Sequence, residues 1–212
     1  DAGKLLNIEE MRDNDYVITT KELVQWCQEE GLDLDKITPS KFDSVLGEGT
    51  GAGMIFGNTG GVMEAALRTV YRVLEGKEAP ADFYQLRPVR GLSNRKEAEV
   101  TIAGKKLRVC ILYGTAAAEE FLAEDMNGYH FVEVMTCPGG CISGAGQPDC
   151  GSVPVSDVVR KKRIQSLYQA DEQAERRNSM DNPEIGTIYH EFFKEPLSML
   201  SEKLLHTTYK RK

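Results

Sequence analysis

Apolar positions recur along this chain with two periods, and the change from one to the other sets its architecture. Leu107 to Tyr113 and Tyr129 to Met135 are short, nearly continuous apolar runs of the length of buried strands. Between them, Thr115 to about Met126 has helical composition. Strand, helix and strand within about 30 residues predict a right-handed crossover joining two parallel strands. Upstream, residues 86–91 and 97–102 read as extended, and Ala103-Gly104-Lys105 as a turn into the next strand.

Helical spacing governs the rest. Thr19 or Thr20 caps a helix to about Glu30, with Leu23, Val24, Trp26 and Cys27 inward and Gly31 ending it. Just before it, Tyr16 to Thr19 reads as a short buried strand. From Gly61 to Leu74 a second helix buries Val62, Ala65, Ala66, Thr69, Val70 and Val73, with Glu64 and Arg68 paired on another face. Between Gly47 and Gly61 seven of fifteen residues are glycine, yet Met54, Ile55 and Phe56 require that loop to pack tightly. Beyond Pro148 the pattern is helical throughout. A run from Ser156 or Asp157 to about Arg177 uses Val159, Ile164, Leu167 and Tyr168. Asn182-Pro183 opens a helix to Phe193 that Pro196 closes, and Leu197, Leu200, Leu204 and Leu205 mark a last one. The predicted class is α/β, a mostly parallel sheet with flanking helices followed by a helical tail.

Composition narrows the function. A net charge of −7 over 212 residues leaves no basic stripe for nucleic acid, and Arg160 to Arg163 reads as a solvated helix face. No apolar stretch is long enough to span a bilayer, and no signal-peptide pattern opens the chain. The expected location is cytoplasmic. Five cysteines, two closely spaced, favour metal ligation over a disulfide framework. Cys27 and Cys110 lie in apolar patterns and read as structural thiols.

The chemistry concentrates in residues 131–148, Phe-Val-Glu-Val-Met-Thr-Cys-Pro-Gly-Gly-Cys-Ile-Ser-Gly-Ala-Gly-Gln-Pro. A strand delivers Cys137 and Cys141 into a glycine-rich loop, where two thiols can grip one metal centre and backbone amides can approach sulfur. Ligands in such sheets gather beyond the carboxyl ends of the strands, where Cys137 falls. On spacing alone, Cys-x-x-x-Cys leaves zinc and iron–sulfur both open. Cys150 reads as a free loop cysteine, and His130, His190 and His206 are dispersed. The pattern Gly47-x-Gly49-x-x-Ala52 is a weak dinucleotide signal, with no convincing strand before it.

Glu133, Met135, Cys137, Pro138, Gly140, Cys141, Gly144, Gly146, Gln147 and Pro148 resemble the signature of the [FeFe]-hydrogenase catalytic domain, departing from it at Ala145. Gly51 to Arg68 is similar to that family's second recognisable stretch. Arg163, Leu167-Tyr168, Asp171, Arg177, Ser179, Asn182-Pro183, Tyr189, Pro196 and Leu205-His206-Thr207 are similar to a tail that some members carry as a small subunit. Met180 stands where the family usually has His.

The resemblance implies two units, residues 1–150 as the carboxyl-terminal lobe of the H-cluster domain and 151–212 as the small-subunit-like tail. It implies an H-cluster, a [4Fe–4S] cluster joined to a two-iron subcluster carrying CO and cyanide. Cys137 would ligate the cubane, Cys141 would ligate it and bridge to the two-iron unit, and Phe56, Gly57 and Met135 would line the latter. Ordinary core packing is the competing reading of Phe56 and Met135. The family's other two cysteine motifs, built on Cys-Cys-Pro and Met-Pro-Cys, do not occur in these residues. Together with the first residue being Asp1, this predicts that an N-terminal part or partner subunit supplies them and the proton-relay residues. The implied activity is reversible H2 oxidation and proton reduction with an electron carrier such as ferredoxin. The alternative is a non-catalytic or sensory iron–sulfur protein of the same fold, or a zinc domain using Cys137, Cys141, Cys150 and His130.

Overall fold

The computed structural model describes residues 15–41, 48–124 and 126–206. Gly47, which opens the glycine pattern, and Thr207, which ends the tail motif, lie outside them. In chain order the helices and strands are α1 (Thr20–Glu29), α2 (Gly51–Met54), α3 (Gly61–Glu75), β1 (Arg95–Ile102), β2 (Lys105–Tyr113), α4 (Thr115–Leu122), β3 (Phe131–Met135), α5 (Asp157–Gln173), α6 (Pro183–Ile188) and α7 (Met199–Leu205).

The three strands form one sheet in the order β1-β2-β3. The expected crossover is present, with β2 and β3 parallel from Val109↔Phe131 to Tyr113↔Met135. The sheet is mixed rather than mostly parallel, because β1 and β2 pair antiparallel from Arg95↔Leu112 to Ile102↔Lys105 around the turn at Ala103-Gly104. Only two residues separate these strands, too few for a crossover connection. Residues 86–91 are not a strand either: Arg87–Val89 forms a 3-10 turn with proline inside it.

Strand β2 is buried continuously over Val109–Leu112 because both its faces are covered. Val109 and Ile111 pack with Met63 and Leu67 of α3, Ile102 of β1, Phe83 and Val89. Cys110 and Leu112 point the other way, onto Ala117 and Phe121 of α4. Burying each of the larger aliphatic side chains contributes about 1.5–3 kcal/mol. A smaller cluster of Ala52, Ile55, Ala65 and Tyr168 ties α2 and α3 to α5.

Helix α1 begins as expected, with Thr19 and Glu22 exchanging capping-box hydrogen bonds. Its apolar stripe does not face inward. Trp26 is 57% exposed and Leu23 and Val24 are also exposed, while Tyr16, Val17 and Ile18 form no strand and lie in solvent. No other described element covers this face. On α3 the expected face is also displaced. Met63, Glu64, Ala65, Leu67 and Arg68 are buried and Val73 is exposed, so the Glu64–Arg68 pair lies in the interior. Helix α5 ends at Gln173, short of Arg177, because the backbone turns extended at Ala174. Asn182 caps α6 as its sequence predicts, and a π-helical turn from Tyr189 to Phe193 completes the run toward Pro196.

Candidate cluster-binding site

Strand β3 ends at Met135, whose carbonyl accepts from Gly114 N at 2.8 Å, so the parallel ladder holds the chain up to the thiol loop. Beyond it the loop closes on itself. Gly140 N donates to Cys137 O at 2.9 Å, Ser143 N to Gly140 O at 3.1 Å, and Gly144 N to Cys141 O at 3.1 Å. Cys141 is exposed and Cys137 half-buried, and neither is in a disulfide. A Cβ on Gly144 would lie 3.8 Å from Cys137 Sγ, an ordinary contact, so this glycine sits against that thiol.

The second loop, residues 55–60, packs directly on the first. Thr59 N donates to Gly139 O at 3.0 Å. Gly140 has φ +99°, and a Cβ there would meet Gly57 O at 2.6 Å and Thr59 N at 2.7 Å. Only glycine permits both this backbone and this approach. Phe56 is 45% exposed beside this junction and lies outside the core of the described residues, whereas Gly57 and Met135 are half-buried.

Glu133 fastens the two loops from behind. Its carboxylate accepts from Gly60 N at 2.5 Å and Met63 N at 2.7 Å, taking up free amides at the start of α3. Burial pushes its pKa up, opposed by those two amides and the charge of Lys96. Lys96, buried on β1, donates to Thr59 O and Gly91 O at 3.1 Å each. Burial lowers its pKa to about 8 despite the pull of Glu133. Neither group was singled out from sequence for this role. The signals in the sequence are the place of Glu133 in the signature and its position on a strand two residues before Met135; Lys96 carries none.

The Arg160–Arg163 cluster is only partly the solvated face expected. Lys161 and Lys162 are exposed, but Arg163 turns into the thiol loop and donates to Ile142 O at 2.7 Å and Pro148 O at 2.6 Å. Cys150 is exposed, with Arg163 Nη2 3.4 Å from its sulfur. Cys110 is buried as expected, and Cys27 is only half-buried.

The zinc arrangement does not form. Among the described residues no three His, Cys, Asp or Glu side chains gather into a metal-holding group. His130 lies just before β3, its Nδ1 accepting from Arg108 N, while Cys137 lies past the other end, roughly 15 Å along a five-residue strand. The dinucleotide pattern finds no support in the described residues, since Glu48 to Thr50 is not a strand and α2 is a single turn.

A pair of thiols on a glycine turn fits a soft metal centre. As a donor set it makes half of what a cubane needs, which takes four thiolates. Among the described residues no helix is long and apolar enough to cross a membrane.

Comparison with known proteins gives the same picture. The profile of the iron-only hydrogenase large subunit, C-terminal domain, matches residues 4–145, and that of the iron hydrogenase small subunit matches 157–212. Iron hydrogenase 1 of Clostridium pasteurianum is 38% identical over 205 residues, covering 95% of this chain and 35% of the relative. The solved structure of a variant of the [FeFe]-hydrogenase HydA1 from Chlamydomonas reinhardtii superposes with a TM-score of 0.71 at 33% identity, over 93% of this chain and 56% of that one. The cytosolic Fe-S cluster assembly factor narfl of Xenopus tropicalis is 29% identical over 211 residues, covering 94% of this chain and 42% of the relative. The chain therefore spans well under half the length of the curated relatives it matches. With both profiles matched in sequence and the fold shared with a solved member, the chain belongs to the iron-only, or [FeFe]-, hydrogenase family.

Proposed function

We propose that this chain supplies Cys137 and Cys141 to the H-cluster of an [FeFe]-hydrogenase that oxidises H2 and reduces protons reversibly. The observation that carries the reading is the two-thiol loop at the carboxyl end of β3, locked against the Phe56–Gly57 loop through Gly140. When bound, the [4Fe–4S] cluster and its two-iron partner with CO and cyanide supply the redox and H–H bond chemistry. The residues of this chain hold and shape. Cys137 and Cys141 offer thiolates, and the loop amides of Gly140, Ser143 and Gly144 are spent on carbonyls that hold the turn presenting them. Phe56 walls the site, Gly57 lines it as backbone whose missing side chain admits Leu167 behind it, and Met135 gives a polarisable, uncharged contact.

The reading assigns the remaining thiolates, and the groups that relay protons, to polypeptide beyond these 212 residues. It takes ferredoxin or a similar carrier as electron partner and the cytoplasm as location, which cell fractionation tests. A second reading, iron–sulfur binding without turnover, is favoured by the similarity to the assembly factor.

Metal analysis with infrared spectroscopy of the complete protein decides. Iron with CO and cyanide stretching bands supports the hydrogenase reading. Iron without those bands supports the second, and zinc refutes both. Cys141→Ala should lose the two-iron bands, and full H2 turnover in that variant would overturn the role given to this thiol.

A further inference from the structure

Helix α5 carries Arg163, Leu167 and Asp171 at four-residue steps, which puts them on one face. Each meets a different support of the site. Asp171 accepts from Arg68 of α3 at 2.9 and 2.8 Å in full burial. Leu167 lies against Gly57, its Cδ1 3.0 Å from where a Cβ would stand. Arg163 spans the thiol loop, one nitrogen donating to Ile142 O and the other to Pro148 O. A guanidinium holds its donors in a rigid planar fork, so one side chain fixes the spacing of the two ends of residues 142–148. Ile142 follows Cys141 directly. The face of α5 thus forms a rail with buried Asp171 at one end and the loop at the other.

We propose that Arg163 is a positioning residue for the iron–sulfur centre, fixing the loop that presents Cys141 and keeping a permanent positive charge next to it. This rests on the cluster-binding reading above. Charge near a cluster and hydrogen bonding around it set its potential, and a nearby cation favours the electron-richer form. Removing Arg163 therefore loosens the loop and makes the centre harder to reduce.

The test uses Arg163→Gln and Arg163→Lys in the complete protein, with two readouts. One is amide hydrogen exchange across residues 143–147 in the metal-free state. The other is a redox titration of the iron-loaded state followed by electron paramagnetic resonance. In Arg163→Gln, exchange rises about tenfold or more. The ratio of reduced to oxidised cluster at a fixed poise falls about tenfold, equivalent to about 59 mV for a one-electron couple. Arg163→Lys keeps the charge and restores the potential, while exchange stays fast at one end of the loop because an ammonium cannot fork. Unchanged exchange in Arg163→Gln overturns the proposal, as does an unchanged potential. If Arg163→Gln does not fold, Arg163→Lys decides, and wild-type exchange at both ends of its loop overturns the proposal. A wild-type protein that takes up no iron sinks the cluster reading instead, and the exchange measurement still rules on whether Arg163 holds the loop.

Discussion

Replacing Arg68 by Met removes the centre of a buried charge network. Arg68 and its partners Glu64 and Asp171 all have fully buried side chains. Glu64 accepts from Arg68 at 2.7 Å and from Arg90 at 2.9 and 2.7 Å, and Asp171 accepts from Arg68 and from Arg177 at 2.5 Å. Breaking a buried ion pair from one side costs about 3–5 kcal/mol, because the remaining charge stays desolvated. Each carboxylate here keeps a second arginine, which places Arg68→Met at the lower end, about 3 kcal/mol. With a urea dependence of about 3 kcal/mol per molar for a chain of this size, the unfolding midpoint drops by about 1 M. The assay is urea denaturation followed by far-ultraviolet circular dichroism, at neutral pH and again in acid. Burial alone would raise the Asp171 pKa, but its hydrogen bonds to Arg68 and Arg177 outweigh that and leave it lowered. A lowered carboxylate stabilises above its unfolded pKa and loses that contribution as pH falls through the folded one. The advantage of the wild type over Arg68→Met therefore shrinks below about pH 4. A neutral-pH loss under about 1 kcal/mol would refute the claim that this network joins α3 to α5.

Further substitutions probe the parts of the site separately. Gly140→Ala puts a methyl into the Gly57–Thr59 backbone at a φ that alanine avoids, so a loss of about 2–3 kcal/mol and reduced iron uptake are expected from denaturation and metal analysis. Glu133→Ala leaves the amides of Gly60 and Met63 without their acceptor and should cost about 1–3 kcal/mol in the same denaturation assay. For Lys96, burial lowers the pKa from 10.5 to about 8, so the folded state disfavours its charge. The stability of the wild type relative to Lys96→Met should then rise between about pH 8 and 10.5, and a flat difference across that window would show that Lys96 is not desolvated.

How much the sequence disclosed differs by element. The β2–α4–β3 unit was legible because each run carries its own period and the crossover follows from chain chirality. The caps of α1 and α6 were legible because Thr19 and Asn182 act on amides two or three residues away. The interior face of α3 was misread for a physical reason. A Glu–Arg pair four residues apart is ordinarily a surface pair, and nothing local reveals that Asp171, 103 residues on, completes its burial. The stripe of α1 was misread in the opposite sense. Periodicity reports which face is apolar, not what covers it, and no described element covers Leu23, Val24 and Trp26. The cysteine pair and its glycine loop were visible as a motif, whereas the anchorage by Glu133 and Arg163 depends on contacts 70 and 21 residues apart.

That anchorage explains how a loop built of glycine can hold two thiols in place. A glycine-rich segment has a high conformational entropy to lose, so its geometry must be imposed from outside. Three independent supports do this here: the amide of Thr59 on Gly139, the fork of Arg163 on Ile142 and Pro148, and the parallel ladder ending at Met135. The Phe56–Gly57 loop is held in turn because Glu133, on the same strand that feeds the thiol loop, grips the amides of Gly60 and Met63. One strand therefore sets both loops, and a shift of β3 along β2 would carry thiols and wall together. Helix α5 braces the pair from a third side, since its Leu167 packs at Gly57 and its Arg163 holds the thiol loop.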